Sequence, residues 1–285
     1  MDVPEPDTDA ATHGVVTNMS CDAVTRATWI RAENAVVSAC LEHGQSAFLT
    51  VDEDVLDAYA PESLAAIRSL DRLTDPGEDT AVFRAGEDDR QTVRAALSID
   101  DASEAIPVHQ VVSWRAHGIE RITTLGDGSW RYDSVPEQAS SRWVHEPSPA
   151  LLSAIESALA PVPATGLFPT GAITAQTPGR GAAAVGAKQI ELYPDQDLIQ
   201  ELYHFSDLET VLVDTRSEEV VLDWRTYRSR ANSSLGRVVF GTLHRLRESP
   251  PTRLCPDDTA QFERLRDVFS TMAAELAFGV EYREL

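Results

Sequence analysis

Apolar residues recur along the chain in short blocks whose spacing switches between helical and strand periods. Between Asp22 and Gly44, the residues Trp29, Ile30, Val36, Val37 and Cys40 fall near one helical face, and Gly44 supplies a stop. Ser46–Val51 (SAFLTV) is a short apolar run of strand type. Residues 52–73 return to a helical pattern, broken early by Pro61, after which Leu64, Ile67, Leu70 and Leu73 recur every three residues. Residues 80–84 predict a second strand and 88–97 a third helix. Helix, strand, helix, strand, helix is the rhythm of a βαβ-like layer, so the first half is expected to be α/β with parallel strands.

Beyond Ile106 the rhythm changes. Residues 108–114 and 118–125 read as strands, 126–129 as a turn and 130–133 as the returning strand of a hairpin. Residues 148–159 predict a helix, with Ser148 as N-cap and Pro149 at the first helical position. Residues 161–187 hold four prolines and five glycines, no acid, and Arg180 as the one arginine. Such a stretch predicts a linker or a long functional loop, and a domain boundary is placed there. After it come a strand at 189–193, a helix at 195–205 and strands at 210–214 and 220–224. Helices at 233–248 and 258–278 complete an α+β C-terminal part. Residues 1–20 are polar and carry Asp2, Glu5, Asp7 and Asp9, so they are expected to be a disordered acidic tail. The expected organisation is tail 1–20, α/β sensor-like domain 21–160, linker or loop 161–188, and α+β domain 189–285.

Composition adds constraints. Hydrophobic residues make up 42% of the 285, enough for packed cores. No apolar run approaches the roughly 18–20 residues that span a bilayer. The first residues lack the basic start and apolar stretch of a secretory leader, so a soluble, cytoplasmic protein without a membrane partner is expected. Cys21, Cys40 and Cys255 are three thiols with no CxxC pair, so neither a disulfide framework nor a zinc site is expected.

The formal charge is -22, and Lys188 is the only lysine among 24 basic residues. Codon bias can replace Lys by Arg, but it does not force 46 acids. An acid excess of this size maintains solubility in concentrated salt. The composition resembles that of haloarchaeal proteins.

Charge is uneven. Residues 225–247 contain no acid and six arginines, the sharpest departure from the average. Arg225, Arg228, Arg230, Arg237, Arg245 and Arg247, with His244, form a basic island. Three readings stay open: contact with an acidic protein surface, the chain's own or a second copy's; phosphate contact with DNA; or an anionic small ligand.

Other candidates are thinner. Gly181 and Gly186 have P-loop spacing, but Ala187 occupies the lysine position and Gln189 that of the magnesium-binding hydroxyl. No nucleotide or other cofactor is therefore expected. The seven histidines include no HxxxH pair, and no metal site is expected. Lys188 and His109 are retained as possible ligand contacts. The sequence carries no catalytic constellation, and a non-enzymatic role is preferred. The alternatives are an enzyme using His109, His145 or Lys188 between two domains, and a structural scaffold.

Residues 27–86 run from a helix containing Arg31-Ala-Glu-Asn-Ala into Ala47-Phe-Leu-Thr-Val51. Glu53-Asp-Val-Leu56, a leucine-spaced helix and a second strand follow. This stretch resembles the effector domain of TrmB-type archaeal transcription regulators. The resemblance implies a regulatory, ligand-sensing role related to transcription. It departs from the family in lacking a winged helix-turn-helix ahead of it.

Overall fold

The computed structural model describes residues 6–18, 21, 23–75, 80–97, 118–136, 142–171, 173–186, 189–193, 201–225 and 250–285. Helices and sheets are both abundant, and the chain divides into two compact units, Met1–Thr170 and Gly171–Leu285. The division falls inside the segment where composition placed a boundary.

The first unit is built on eight strands: β1 (His13–Thr17), β2 (Ser46–Val51), β3 (Asp71–Arg72), β4 (Ala81–Ala85), β5 (Ile119–Gly126), β6 (Ser129–Ser134), β7 (Arg142–Val144) and β8 (Thr165–Pro169). Their order is β3-β4-β2-β5-β6-β7-β1-β8. Every pairing among the described strands of this sheet is antiparallel, which corrects the expected parallel layer. Helix–strand alternation misled because β2 pairs with β4 and β5, so each helical connection returns to an antiparallel neighbour.

The helices are α1 (Arg26–Glu42), α2 (Glu53–Tyr59), α3 (Pro61–Ile67), α4 (Arg90–Ala96) and α5 (Pro149–Leu159). Ala47, Leu49 and Val51 of β2 alternate onto one face of the sheet and pack in a single core. Val36, Val37, Cys40 and Leu41 of α1 and Leu151, Ile155 and Leu159 of α5 belong to that same core. The caps follow sequence chemistry. Thr25 and Thr28 exchange side-chain to backbone hydrogen bonds at the start of α1, and Ser148 Oγ accepts from Leu151 N at 3.2 Å. Asp127 and Gly128 both take positive φ and close the β5–β6 hairpin.

The N-terminal expectation is overturned over 13–17. β1 lies inside the sheet between β7 and β8, with Val15, Val16 and Thr17 buried. Acids cluster before residue 10, whereas His13–Thr17 (HGVVT) carries none and has the β-branched residues a buried strand needs.

The second unit contains β9 (Ile173–Thr177), β10 (Gly181–Val185), β11 (Gln189–Tyr193), β12 (Glu201–His204), β13 (Leu208–Asp214), β14 (Glu219–Trp224), β15 (Arg253–Pro256) and β16 (Glu281–Glu284). The order is β12-β11-β10-β9-β15-β14-β13-β16, and β13 with β16 is the one parallel pair among the described strands. Helix α6 (Thr259–Glu275), capped by Asp258, buries Phe262, Leu265, Val268, Phe269 and Met272. Phe205 meets Phe269 and Phe278 edge-on, at 5.6 and 6.4 Å between ring centres.

Two further expectations change here. The stretch read as a linker carries β8, β9 and β10. Ala183, Ala184 and Val185 are buried between β9 and β11, a setting in which packing overrides the weak β-propensity of alanine. Residues 201–204 are a strand rather than the end of a helix, because Glu201, Tyr203 and their neighbours pair in register with β11. The strand expected at 108–114 and the helix expected at 233–248 lie outside the described residues.

Candidate functional site

Helix α1 has two distinct faces, set by its sequence. Arg31, Asn34, Ala35, Ser38, Ala39 and Glu42 share one stripe, at spacings of three and four. Trp29, Glu33, Val36 and Cys40 share another. The first stripe lines a groove of about 550 Å³ whose other walls are Arg94 and Leu97, Ala154 and Ala158 of α5, and Pro161 and Val162. The volume falls within the roughly 300–1,000 Å³ of small-molecule sites.

One wall of the groove is polar and cross-linked. Asn34 Nδ2 donates to the Arg94 carbonyl, Ser38 Oγ donates to Asn34 Oδ1, and Arg94 Nε donates to Ser38 Oγ, each at 3.3 Å. Glu42 lies 3.1 Å from Arg90 and 3.5 Å from Arg94. These groups are half exposed, so each contact adds little stability. Ala35 and Ala39 of α1, Ala154 and Ala158 of α5, Leu97, Pro161 and Val162 supply the apolar part of the lining.

The second stripe of α1 faces the sheet and holds a buried ionic network. Glu33 Oε2 accepts from Tyr132 at 2.6 Å, and Oε1 accepts from Ser134 at 2.8 Å. Tyr132 and Ser134 are two residues apart on β6 and so point to the same side. Arg142 Nε is 3.8 Å from Glu33 Oε1, and its guanidinium carbon stands 3.8 Å from the ring centre of Trp29. Arg142 Nη2 donates to Thr17 Oγ1 at 2.8 Å. Thr165 Oγ1 donates to Pro163 O, so the Thr17 hydroxyl is left to donate to Thr165 at 3.0 Å.

Arg142 Nε and Nη1 make no hydrogen bond among the described residues. Burial raises the Glu33 pKa, and Arg142, Tyr132 and Ser134 oppose that rise without cancelling it. Burial likewise lowers Arg142. On the far face of the sheet, Asp133 is held by Arg121 at 2.8 and 3.2 Å and by Thr123 at 2.9 Å.

Of the residues singled out by sequence, Arg228, Arg230, Arg237, His244, Arg245, Arg247, Lys188 and His109 lie outside the described residues. Arg225 is described. Its Nη2 donates to Gly279 O at 2.9 Å and Phe278 O at 3.4 Å, so it fastens the chain after α6. His145 stacks on Trp130 at 4.7 Å and shares a 2.7 Å hydrogen bond with the Ala10 carbonyl, a structural setting. The P-loop spacing falls on β10, where Gly181–Val185 is an extended strand.

Among the described residues no group of three or more His, Cys, Asp or Glu is placed to hold a metal. No helix of the described residues is long and apolar enough to cross a membrane. Sequence reasoning missed the groove, whose walls are alanines and scattered polar residues. It also missed Glu33, although an acid amid Trp29, Ile30, Val36 and Val37 was its one visible signal. No family model, curated protein or solved structure matches the chain.

Proposed function

We propose that the chain is a regulatory, ligand-sensing protein whose first unit receives a small molecule in the α1–α4–α5 groove. The observation that carries this reading is the groove itself, where polar groups and short apolar side chains together line about 550 Å³. The resemblance of residues 27–86 to TrmB-type effector domains points the same way, because α1 lies within that stretch. Acid-rich composition supports a salt-filled cytoplasm of haloarchaeal type as the setting.

Ligand occupancy would be communicated through α1, which touches the groove on one side and the Glu33 network on the other. The output would be contact with a protein partner, a second copy or DNA through 225–247. Arg225 would stand apart from that surface as an internal fastening.

Thermal-shift measurement against a broad set of small metabolites tests the sensing role. Compounds that raise the melting temperature should lose their effect in Ala158→Trp, which puts an indole into the groove. An undiminished response in that variant overturns the reading. For the output, mobility-shift and pull-down assays in molar salt compare the wild type with Arg228, Arg230, Arg237 and Arg245 changed together to Ser. Retention of every partner by the variant removes the contact-surface role.

A further inference from the structure

Leu97, at the C-terminal end of α4, lines two cavities. One is the groove. The other is a small inner cavity of about 10 Å³, lined by Trp29, Ile30 and Glu33 of α1 and by Ile119 and Ile122 of β5. A close-packed core leaves a side chain nowhere to go, whereas this free volume lets Leu97 move inward from the groove. Trp29 and Glu33, which it would press on, are the two α1 residues that touch Arg142.

The Arg142 contact is incomplete. Its guanidinium is fully buried, yet Nε and Nη1 make no hydrogen bond among the described residues. Nε stands 3.8 Å from Glu33 Oε1, beyond hydrogen-bond distance. Oε1 accepts from Ser134, and a carboxylate oxygen can take a second donor. A charge-assisted bond sits at about 2.7–2.9 Å, so a shift of about 1 Å would make this one. A pair built only for stability would already be closed, because an unmade bond forfeits part of the attraction that offsets desolvation.

From the shared wall and the open pair together we infer that Glu33 and Arg142 form a two-position contact, open here and closed when the groove is filled, with Leu97 as the side chain that transmits filling. The inference rests on the ligand-sensing reading above. Closure is the direction that displacement favours, since it makes a buried hydrogen bond that the open position lacks. It also supplies what coupling requires, two states that differ in a named contact. Arg142 Nη2 holds Thr17 on β1, and Thr17 bonds Thr165 on β8. The contact therefore carries groove occupancy from α1 across the sheet to β8, the strand that ends the first unit.

Nuclear magnetic resonance of the full chain with ¹⁵N-labelled arginine tests this through the Arg142 Nε–H signal, identified by its loss in Arg142→Lys. The indole of Ala158→Trp serves as a tethered occupant of the groove, and Ala154→Trp, one turn earlier on α5, serves where that variant folds poorly. The wild-type signal should lie where an unbonded Nε–H resonates, and a groove indole should move it downfield by more than its linewidth. Adding Leu97→Ala should return it to the wild-type position. A wild-type signal already downfield means a contact closed at rest and overturns the switch. A signal unmoved by both indoles overturns it too. Equal movement with and without Leu97 overturns the transmitting role. The groove reading is scored separately, because metabolite thermal shifts that vanish in Ala158→Trp keep it standing even if the Arg142 signal never moves.

Discussion

Tyr132 donates a 2.6 Å hydrogen bond to Glu33 Oε2, joining the sheet to α1 inside the core. Both groups are fully buried, and each leaves its ordinary titration range. Burial raises Tyr132 well above the usual phenol value, and the charge of Glu33 adds to that rise. The two partners therefore make the α1–sheet contact sensitive to base.

The folded phenol of Tyr132 stays protonated where an unfolded one, with a pKa near 10, ionises. In that window the folded state binds more protons, so stability is intact below about pH 10 and is lost as pH rises above it. Tyr203 and Tyr282 are raised too and share in the decline. Tyr132→Phe should lose about 1–3 kcal/mol at neutral pH, because Glu33 loses a buried donor. Its stability should then fall less steeply above pH 10. Urea unfolding across pH 8–11 reads both effects, and parallel slopes for the two proteins would contradict a buried phenol.

A stronger effect is expected at the ion pair. Glu33→Ala leaves Arg142 buried beside Trp29 with no counter-charge, a loss of about 3–5 kcal/mol. Arg142→Met should cost a comparable amount, and the double variant clearly less than the sum, giving a favourable coupling in a double-mutant cycle. The raised pKa of Glu33 has its own pH signature. Stability is greatest below the ordinary carboxylate value and falls as pH climbs from there to the raised folded value. Glu33→Gln removes that component and should flatten the mildly acidic part of the profile relative to the wild type.

Backbone chemistry gives a third expectation. Gly118 takes φ +73°, accepts from Asp52 N at 2.8 Å, and leaves no room for a side chain. A Cβ there would stand 2.9 Å from the Asp52 carbonyl oxygen and 3.0 Å from Leu56 N. Gly118→Ala combines left-handed strain with a backbone clash, so a loss of about 2 kcal/mol or more is expected. Gly128, with φ +79° and open space around it, carries the strain alone. Its alanine variant should lose about 1 kcal/mol, and thermal or urea unfolding of the two variants checks the order.

These positions show what was legible in the sequence. Ser148, Pro149 and the turn at 126–129 announced α5 and the β5–β6 hairpin, because caps and turns are local chemistry. Strand direction is not local. Nothing near Ser46–Val51 states that both its neighbours run opposite to it. β10 was unreadable for a different reason. Its glycine and alanines are poor strand formers that only neighbouring strands make extended. The candidate groove was hidden as well, since Arg94 meets Ser38 across 56 residues of chain. Glu33 carried a local sign that the sequence reading passed over, since a carboxylate in an apolar stripe requires a partner from elsewhere.

Salt dependence separates the two kinds of charge in this protein. A chain of net charge -22 repels itself when folded, and mobile ions relieve that repulsion over the Debye length. That length falls from about 10 Å at 0.1 M salt to about 3 Å at 1 M. The melting temperature should therefore climb steeply over that range of KCl and flatten above it, once only charges in contact still interact. The Glu33–Arg142 pair is buried and barely screened, so the destabilisation by Glu33→Ala should stay nearly constant across the same range. Parallel melting series for wild type and variant measure both at once. A wild-type curve flat in KCl would mean that the surface acids are spaced too widely to repel. A variant penalty that shrinks with salt would mean that the pair is open to solvent.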